Sequence, residues 1–305
     1  MARSRSVGVI GAGRMGGPIV RRLKGAGTPP GAGTPLMVWD TSPEIRETFG
    51  AMKGVEVAEP GEMAAACAVI LFVVSSSAEV AECLKGRRGI LQNARPGLVI
   101  WDLTTSDPSD TRRLARRSEK KGVPYIDAAM AGGPFAIEEG RLTLMAGGDA
   151  KALRRTKRRL APFTGKIFHL GEIGSGHAMK LIHNMVLHTI FLATCEGARL
   201  ADRMGMRVED MIEVFNASTA YSYASRFRFP SNILSGKWNA KARIYNPLKD
   251  VGLAVALGKK HGAGVELGEQ TLAFLKKAAA LGMLEEDYSL LYRDFEKIRR
   301  AGTRK

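Results

Sequence analysis

The 305-residue sequence is short of cysteine, of acids and of long apolar runs, and each shortage removes a class of protein. Cys67, Cys83 and Cys195 are odd in number, widely spaced and form no C-x-x-C pair, which argues against a disulfide framework or a structural zinc site. A reducing, cytoplasmic setting fits such a chain. The basic start, Met1 to Ser6, leads straight into the short run Val7–Ile10 without a signal-type apolar core. No apolar run of membrane-spanning length is read elsewhere, so no membrane partner is expected.

Acids number 30 against 46 Lys and Arg, a formal net charge of +16. The excess is clustered at Arg112, Arg113, Arg116, Arg117, Lys120 and Lys121, at Arg154, Arg155, Lys157, Arg158 and Arg159, and at Arg299, Arg300, Arg304 and Lys305. Phosphate contacts to nucleic acid use such clusters. No recognition motif accompanies them, so they read as solvated helix faces and a tail, with nucleic acid kept only as a rival partner. A field of this sign also attracts a small anionic substrate.

The first half alternates β-rich runs with helical patterns. Strands are expected at Val7–Ile10, Leu36–Asp40, Val69–Val74, Leu98–Asp102, Tyr125–Asp127, Thr143–Ala146 and Ile167–Leu170. Helices are expected to start near Met15, Pro43, Ala78, Pro108 and Lys151, and Gly25–Pro35 reads as a surface loop. This alternation predicts an α/β fold, a Rossmann-like, doubly wound parallel sheet. From about Gly174 a long helical stretch runs to about Met204, and only helical patterns follow. The expected domains are 1–172, a dinucleotide-binding domain, and 173–305, an all-helical domain.

Gly11-Ala12-Gly13-Arg14-Met15-Gly16 fits G-x-G-x-x-G between a strand and a helix, the context in which the motif binds a dinucleotide. The first glycine permits the turn, the second lets backbone approach a pyrophosphate, and the third lets helix pack on sheet. Asp40 ends the second strand, 24 residues after Gly16. An acid there accepts from the ribose hydroxyls of NAD and repels the 2′-phosphate of NADP. Its competing role, a helix N-cap before Pro43, falls more naturally to Ser42.

Four blocks, in order and spacing, resemble the β-hydroxyacid dehydrogenases over nearly the whole chain. They are Val9 to Gly16, Asp127-Ala128-Ala129-Met130-Ala131-Gly132-Gly133-Pro134, Gly176-His177-Ala178-Met179-Lys180-Leu181-Ile182-His183-Asn184, and Leu248-Lys249-Asp250-Val251. The resemblance implies hydride transfer between NAD and a 3-hydroxy acid or its semialdehyde or keto form. It also implies a helical domain that makes subunit contacts in a homodimer or homotetramer. It makes Lys180 the general acid/base and Asn184 its partner in positioning the substrate. On a helix Gly176, Lys180 and Asn184 share one face, and Gly176 is expected to leave room for substrate or cofactor. A partly buried ammonium with a lowered pKa suits proton exchange near neutrality.

By the same resemblance Ala131, Gly132 and Gly133 form the substrate loop, with backbone amides for a carboxylate. Ala131 stands where the family has a serine and Ala129 where it has a proline, which points away from the usual substrate. Val74 and Thr105 match cofactor contacts, and Lys249 matches a lysine at the nicotinamide end. Asp250 matches its neighbour. Tyr223 matches an aromatic of the substrate pocket, and Ala242 replaces a phenylalanine beside Arg243, a candidate grip for a second acidic group. His177, His183 and His188, six and five residues apart, lack the i, i+4 spacing of a metal pair, and no metal is expected. Two other readings are an imine reductase, a class that generally lacks the lysine, and a non-catalytic dinucleotide-bound partner of nucleic acid.

Overall fold

The structure is a computed structural model and describes residues 6–26 and 36–302. It divides into two compact units, one ending at Lys180 and one starting at Leu181. The first holds β1 (Ser6–Ile10), α1 (Gly16–Gly25), β2 (Leu36–Trp39), α2 (Pro43–Gly50), β3 (Val55–Val57), α3 (Pro60–Ala66), β4 (Cys67–Phe72), α4 (Ser77–Leu84), α5 (Ile90–Asn93) and β5 (Val99–Asp102). It continues with α6 (Pro108–Glu119), β6 (Tyr125–Ala131), α7 (Gly133–Glu138), β7 (Leu142–Gly148), α8 (Ala150–Thr156) and β8 (Thr164–His169). Apart from Gly25 and Ala26, the loop expected at Gly25–Pro35 lies outside the described residues. Gly25 itself closes α1.

The strands form one sheet in the order β3-β2-β1-β4-β5-β6-β7-β8. Its two faces are both covered, which is why the strands read as continuous apolar runs. Val7, Val9, Val38, Leu71 and Trp101 pack with Ile19 and Leu23 of α1 on one side. Ile10, Ile70, Phe72 and Ile100 pack with Met63, Val80 and Leu114 on the other. One strand pair departs from the expected parallel sheet: β7 runs antiparallel to β6. Only residues 132–141 connect them, shorter than the dozen or more that a parallel crossover needs. The three-residue β3 and the short α3, α5 and α7 carry too few residues to show a period and are absent from the sequence reading.

The second unit is helical. It contains α10 (Val208–Ala217), α11 (Tyr245–Lys260), α12 (Glu266–Ala280), α13 (Leu290–Arg293) and α14 (Phe295–Arg300), which follow α9 (Ser175–Arg203). A π-helix, Ala224–Leu234, lies between α10 and α11. The core holds Phe191, Cys195, Phe229, Val251, Leu275 and Leu291.

The division between units falls within α9. Among the described residues α9 is also the one helix long and apolar enough to cross a membrane by length and composition, which the sequence reading missed. Its polar groups find partners inside the protein: Asn184 bonds Asp250, His188 bonds Tyr288 and Thr189 bonds Thr271.

The basic clusters line helix surfaces. On α6, Thr111, Leu114, Ala115 and Ser118 are buried while Arg113, Arg116 and Arg117 are exposed. On α14, Arg299 and Arg300 both lie near Glu296, and Arg304 and Lys305 fall outside the described residues.

Candidate active site

The glycine loop leaves β1 at Ile10. Gly11 has φ +88° and is packed so closely that a side chain would meet the Val73 carbonyl. A side chain on Gly16 would meet the Gly11 carbonyl oxygen, so this glycine lets α1 start against the loop. Gly13 is different: it is exposed, and nothing lies within 4 Å of where its Cβ would be. Ala12 is buried in the core while Arg14 is exposed and Met15 half-buried. The N-terminus of α1 has no side-chain cap and no acid in its first turn. Open space beside Gly13, in front of an uncapped helix start, fits the pyrophosphate of a dinucleotide.

Asp40 lies just past β2. Its Oδ2 accepts from the Ala12 amide at 2.8 Å and its Oδ1 from the Ser42 amide at 2.9 Å. Ser42, not Asp40, caps α2, with Oγ accepting from the Ile45 amide. Asp40 is therefore tied to the glycine loop. Arg46 turns back to the same place. Its Nη1 donates to the carbonyls of Asp40 at 2.7 Å and Thr41 at 3.1 Å, and its guanidinium lies 4.9 Å from the Trp39 ring centre.

Val74 and Thr105 are half-buried and follow β4, which lies beside β1 in the sheet, and β5, the next strand out. The Thr105 loop is fixed from beneath. Asp102 accepts from the Thr104 amide at 3.0 Å and from the Tyr125 hydroxyl at 2.6 Å. Burial and the Asp102 carboxylate push the Tyr125 hydroxyl pKa well up, which keeps it a donor.

Ala131 ends β6. Gly132 (φ +125°) and Gly133 (φ +69°) turn the chain into α7, a conformation that glycine tolerates and other residues rarely adopt. This is a tight strand-to-helix turn with Gly132 exposed and Ala131 and Gly133 half-buried.

Lys180 is half-buried on α9, has an interaction partner in the structure, and precedes Asn184 by one helical turn. Asn184 is 6 % exposed. Its Nδ2 donates to Asp250 Oδ2 at 2.6 Å, and its Oδ1 lies 2.9 Å from His183 Nδ1. Lys249 Nζ sits 3.0 Å from the other oxygen of Asp250, as an ion pair without an aligned hydrogen bond. The fourth sequence block is thus joined to the third through Asp250 and Asn184. With both members at least three-quarters buried, this pair is no surface ornament.

Gly176 serves a different purpose from the one expected. A side chain there would strike the Met145 carbonyl, and the Asp127 carbonyl and carboxylate at 2.7 and 2.9 Å. The glycine lets α9 begin against β6 and β7, and leaves no room for a ligand. The sequence reading also missed the carboxylate that holds this helix start. Asp127, fully buried, accepts from the Gly174 amide at 2.8 Å and the His177 amide at 2.7 Å. His177 packs beneath, bonded to Thr111 at 2.7 Å.

Tyr223 is exposed, and its ring centre lies 5.1 Å from that of Phe227. Arg243 is exposed and paired with Glu285 at 2.7 Å, so the cation expected to grip a second acid already faces a carboxylate. Its half-buried neighbour Ala242 accepts from the Tyr288 amide through its carbonyl.

Comparison with known proteins agrees with this geometry. Residues 6–171 match the NAD binding domain of 6-phosphogluconate dehydrogenase. Residues 174–295 match the NAD-binding domain of NADP-dependent 3-hydroxyisobutyrate dehydrogenase. A probable mitochondrial 3-hydroxyisobutyrate dehydrogenase of Dictyostelium discoideum is 30 % identical over 95 % of this chain and 90 % of its own. The 2-(hydroxymethyl)glutarate dehydrogenase of Eubacterium barkeri is 27 % identical over 98 % and 97 %. The structure of 3-hydroxyisobutyrate dehydrogenase from Mycobacterium tuberculosis, with L-serine, superposes with a TM-score of 0.84 at 27 % identity, covering 95 % of this chain and 99 % of that one. An imine reductase from Pseudomonas sp. shares the fold at a TM-score of 0.61 and 21 % identity, covering 96 % and 100 %, a likeness of fold alone. A glycine loop shaped for a dinucleotide, an acid tied to it, and two consecutive NAD-binding domain matches make this chain a nicotinamide-dependent oxidoreductase, a member of the β-hydroxyacid dehydrogenase family.

Proposed function

We propose that the enzyme interconverts a 3-hydroxy acid and its semialdehyde or keto form, with NAD as cofactor and Lys180 as general acid/base. The observation that carries this reading is the chain Lys249–Asp250–Asn184, which immobilises a buried asparagine one helical turn beyond Lys180. Nicotinamide, when bound, supplies the hydride acceptor. Lys180 takes the hydroxyl proton at Nζ during oxidation and returns it to the carbonyl oxygen during reduction. Asn184, held at both ends by Asp250 and His183, keeps one Nδ2 hydrogen to orient the reacting oxygen.

The substrate is an acid larger or more polar than 3-hydroxyisobutyrate. Ala131 cannot supply the hydroxyl contact that a serine would give, so a small acid loses one charge-assisted hydrogen bond. Relatives named for 2-(hydroxymethyl)glutarate and for L-threonate are in keeping with such a substrate. We further propose a homodimer or homotetramer. Met179, Ile182, Val186 and Ile190 form a row on α9 that is 40–47 % exposed and apolar, as an interface is.

NAD reduction measured across short 3-hydroxy acids, including dicarboxylates and sugar acids, tests the assignment. Turnover of at least one such acid, faster than of 3-hydroxyisobutyrate, is expected. Absence of turnover with all of them, by protein that binds NAD, would overturn it.

A further inference from the structure

In the helical unit Arg228 is a half-buried cation whose recorded polar partners are neutral. Arg228 sits in the π-helix Ala224–Leu234, and among the described residues no carboxylate lies within ion-pair distance of it. Its recorded polar partners are both neutral: Nη1 donates to Asn232 Oδ1 at 3.0 Å and to the Ala240 carbonyl at 3.3 Å. The guanidinium is flanked by two rings, with the Tyr223 centre 5.7 Å away and the Tyr288 centre 5.8 Å away. The π-helix sets this up, since i to i+5 bonding brings residues four and five apart to one face. Tyr223, Phe227 and Arg228 therefore meet.

Tyr288 joins the same residues to α9. The buried hydroxyl of Tyr288 lies 2.9 Å from His188 Nδ1, and the rings meet edge-on at 5.1 Å. His188 follows Asn184 by four residues, on the row of α9 that carries Lys180 and Asn184. From Asn184 the row of α9 leads to His188, which touches Tyr288, whose ring lies beside Arg228. Arg243, by contrast, is exposed and already paired with Glu285.

We infer that Arg228 binds a second carboxylate of the substrate, which makes a dicarboxylic 3-hydroxy acid the preferred class. A partly desolvated guanidinium with only neutral partners is left short of its natural counter-charge, and a carboxylate restores it. Its planar fork suits a carboxylate bidentately, and the tyrosine rings limit the directions from which an anion can approach. The inference rests on the hydroxy-acid dehydrogenase reading above and names the substrate class within it.

The test is steady-state kinetics of the full-length enzyme with NAD on 2-(hydroxymethyl)glutarate and on 3-hydroxyisobutyrate, for wild type, Arg228→Met, Arg228→Lys and Arg243→Ala. Wild type should favour the dicarboxylate. Arg228→Met should cut that preference roughly ten- to a hundredfold, through KM more than kcat. Arg228→Lys should recover part of it. Equal losses on both acids, no preference in wild type, or loss of the preference in Arg243→Ala instead would each overturn the inference. If neither acid is turned over, the wider panel of 3-hydroxy acids decides the dehydrogenase reading by itself, and calorimetric binding of glutarate still decides Arg228. Binding lost in Arg228→Met supports the assignment, and binding unchanged or absent in wild type overturns it.

Discussion

The Asp127 carboxylate holds the start of the helix that carries Lys180: Oδ2 accepts the His177 amide at 2.7 Å and Oδ1 accepts the Gly174 amide at 2.8 Å. The carboxylate is fully buried and thus meets the positive end of α9 in a low-dielectric setting. Asp127→Asn keeps one acceptor and turns the other atom into a donor that faces an N–H. The expected cost is about 1–3 kcal/mol, read as a lower urea midpoint, with kcat falling more than NAD affinity because Lys180 lies just beyond the cap. An unchanged midpoint and kcat would show that the cap is unimportant.

Cofactor choice follows from Asp40 and Arg46 together. Asp40 places a negative charge against the glycine loop, where a 2′-phosphate would come. Arg46 is held at the same turn by two carbonyls and the Trp39 ring. Wild type should prefer NAD. Asp40→Ala should raise kcat/KM for NADP by roughly ten- to a hundredfold, since Arg46 then pairs with the phosphate. Asp40→Ala with Arg46→Ala should lose that gain. A wild-type preference for NADP would refute the argument.

What could be read without coordinates follows range. The glycine loop, the cap at Ser42 and the row Lys180–Asn184 depend on residues close in sequence, where spacing alone fixes the geometry. The relation of Asp127 to His177 spans 50 residues, and Asn184 to Asp250 spans 66. Nothing local announces either, although the family blocks contain all four residues. Gly176 was visible as a glycine, but what it avoids, the Met145 carbonyl, belongs to a strand far away in sequence. The antiparallel β7 was hidden because a strand's apolar pattern carries no direction. Arg228 had no signal at all, because its neighbours Ala240 and Tyr288 are 12 and 60 residues away in sequence.

The three thiols should be chemically quiet. Burial pushes Cys67 up to about 12, and burial with Glu79 and Glu82 pushes Cys83 up to about 11. Burial also lifts Cys195 well above the ordinary thiol range. A raised thiol pKa means the neutral form dominates at pH 8, with thiolate at about one part in a thousand or less, and the thiolate is the nucleophile. Native enzyme should resist iodoacetamide at pH 8 and label at all three cysteines once unfolded in urea. Rapid labelling of native Cys83 by mass spectrometry would contradict this.

The proposed acid/base role of Lys180 is open to a direct test. Lys180→Ala removes the amine without disturbing α9, because alanine is a good helix former and the helix start is held by Asp127. General acid/base loss typically costs on the order of 100- to 10,000-fold, so kcat should fall by that much. NAD affinity should hold, since the glycine loop and Asp40 are untouched. Lys180→Arg separates charge from proton transfer. Guanidinium keeps the positive charge but does not release its proton in proteins, so it should be nearly as inactive as alanine. Fluorescence titration with NADH and single-turnover rates measure the two quantities separately. Near-normal kcat in Lys180→Ala, with circular dichroism unchanged, would show that another group moves the proton. Activity restored by Lys180→Arg would show that Lys180 acts through its charge alone.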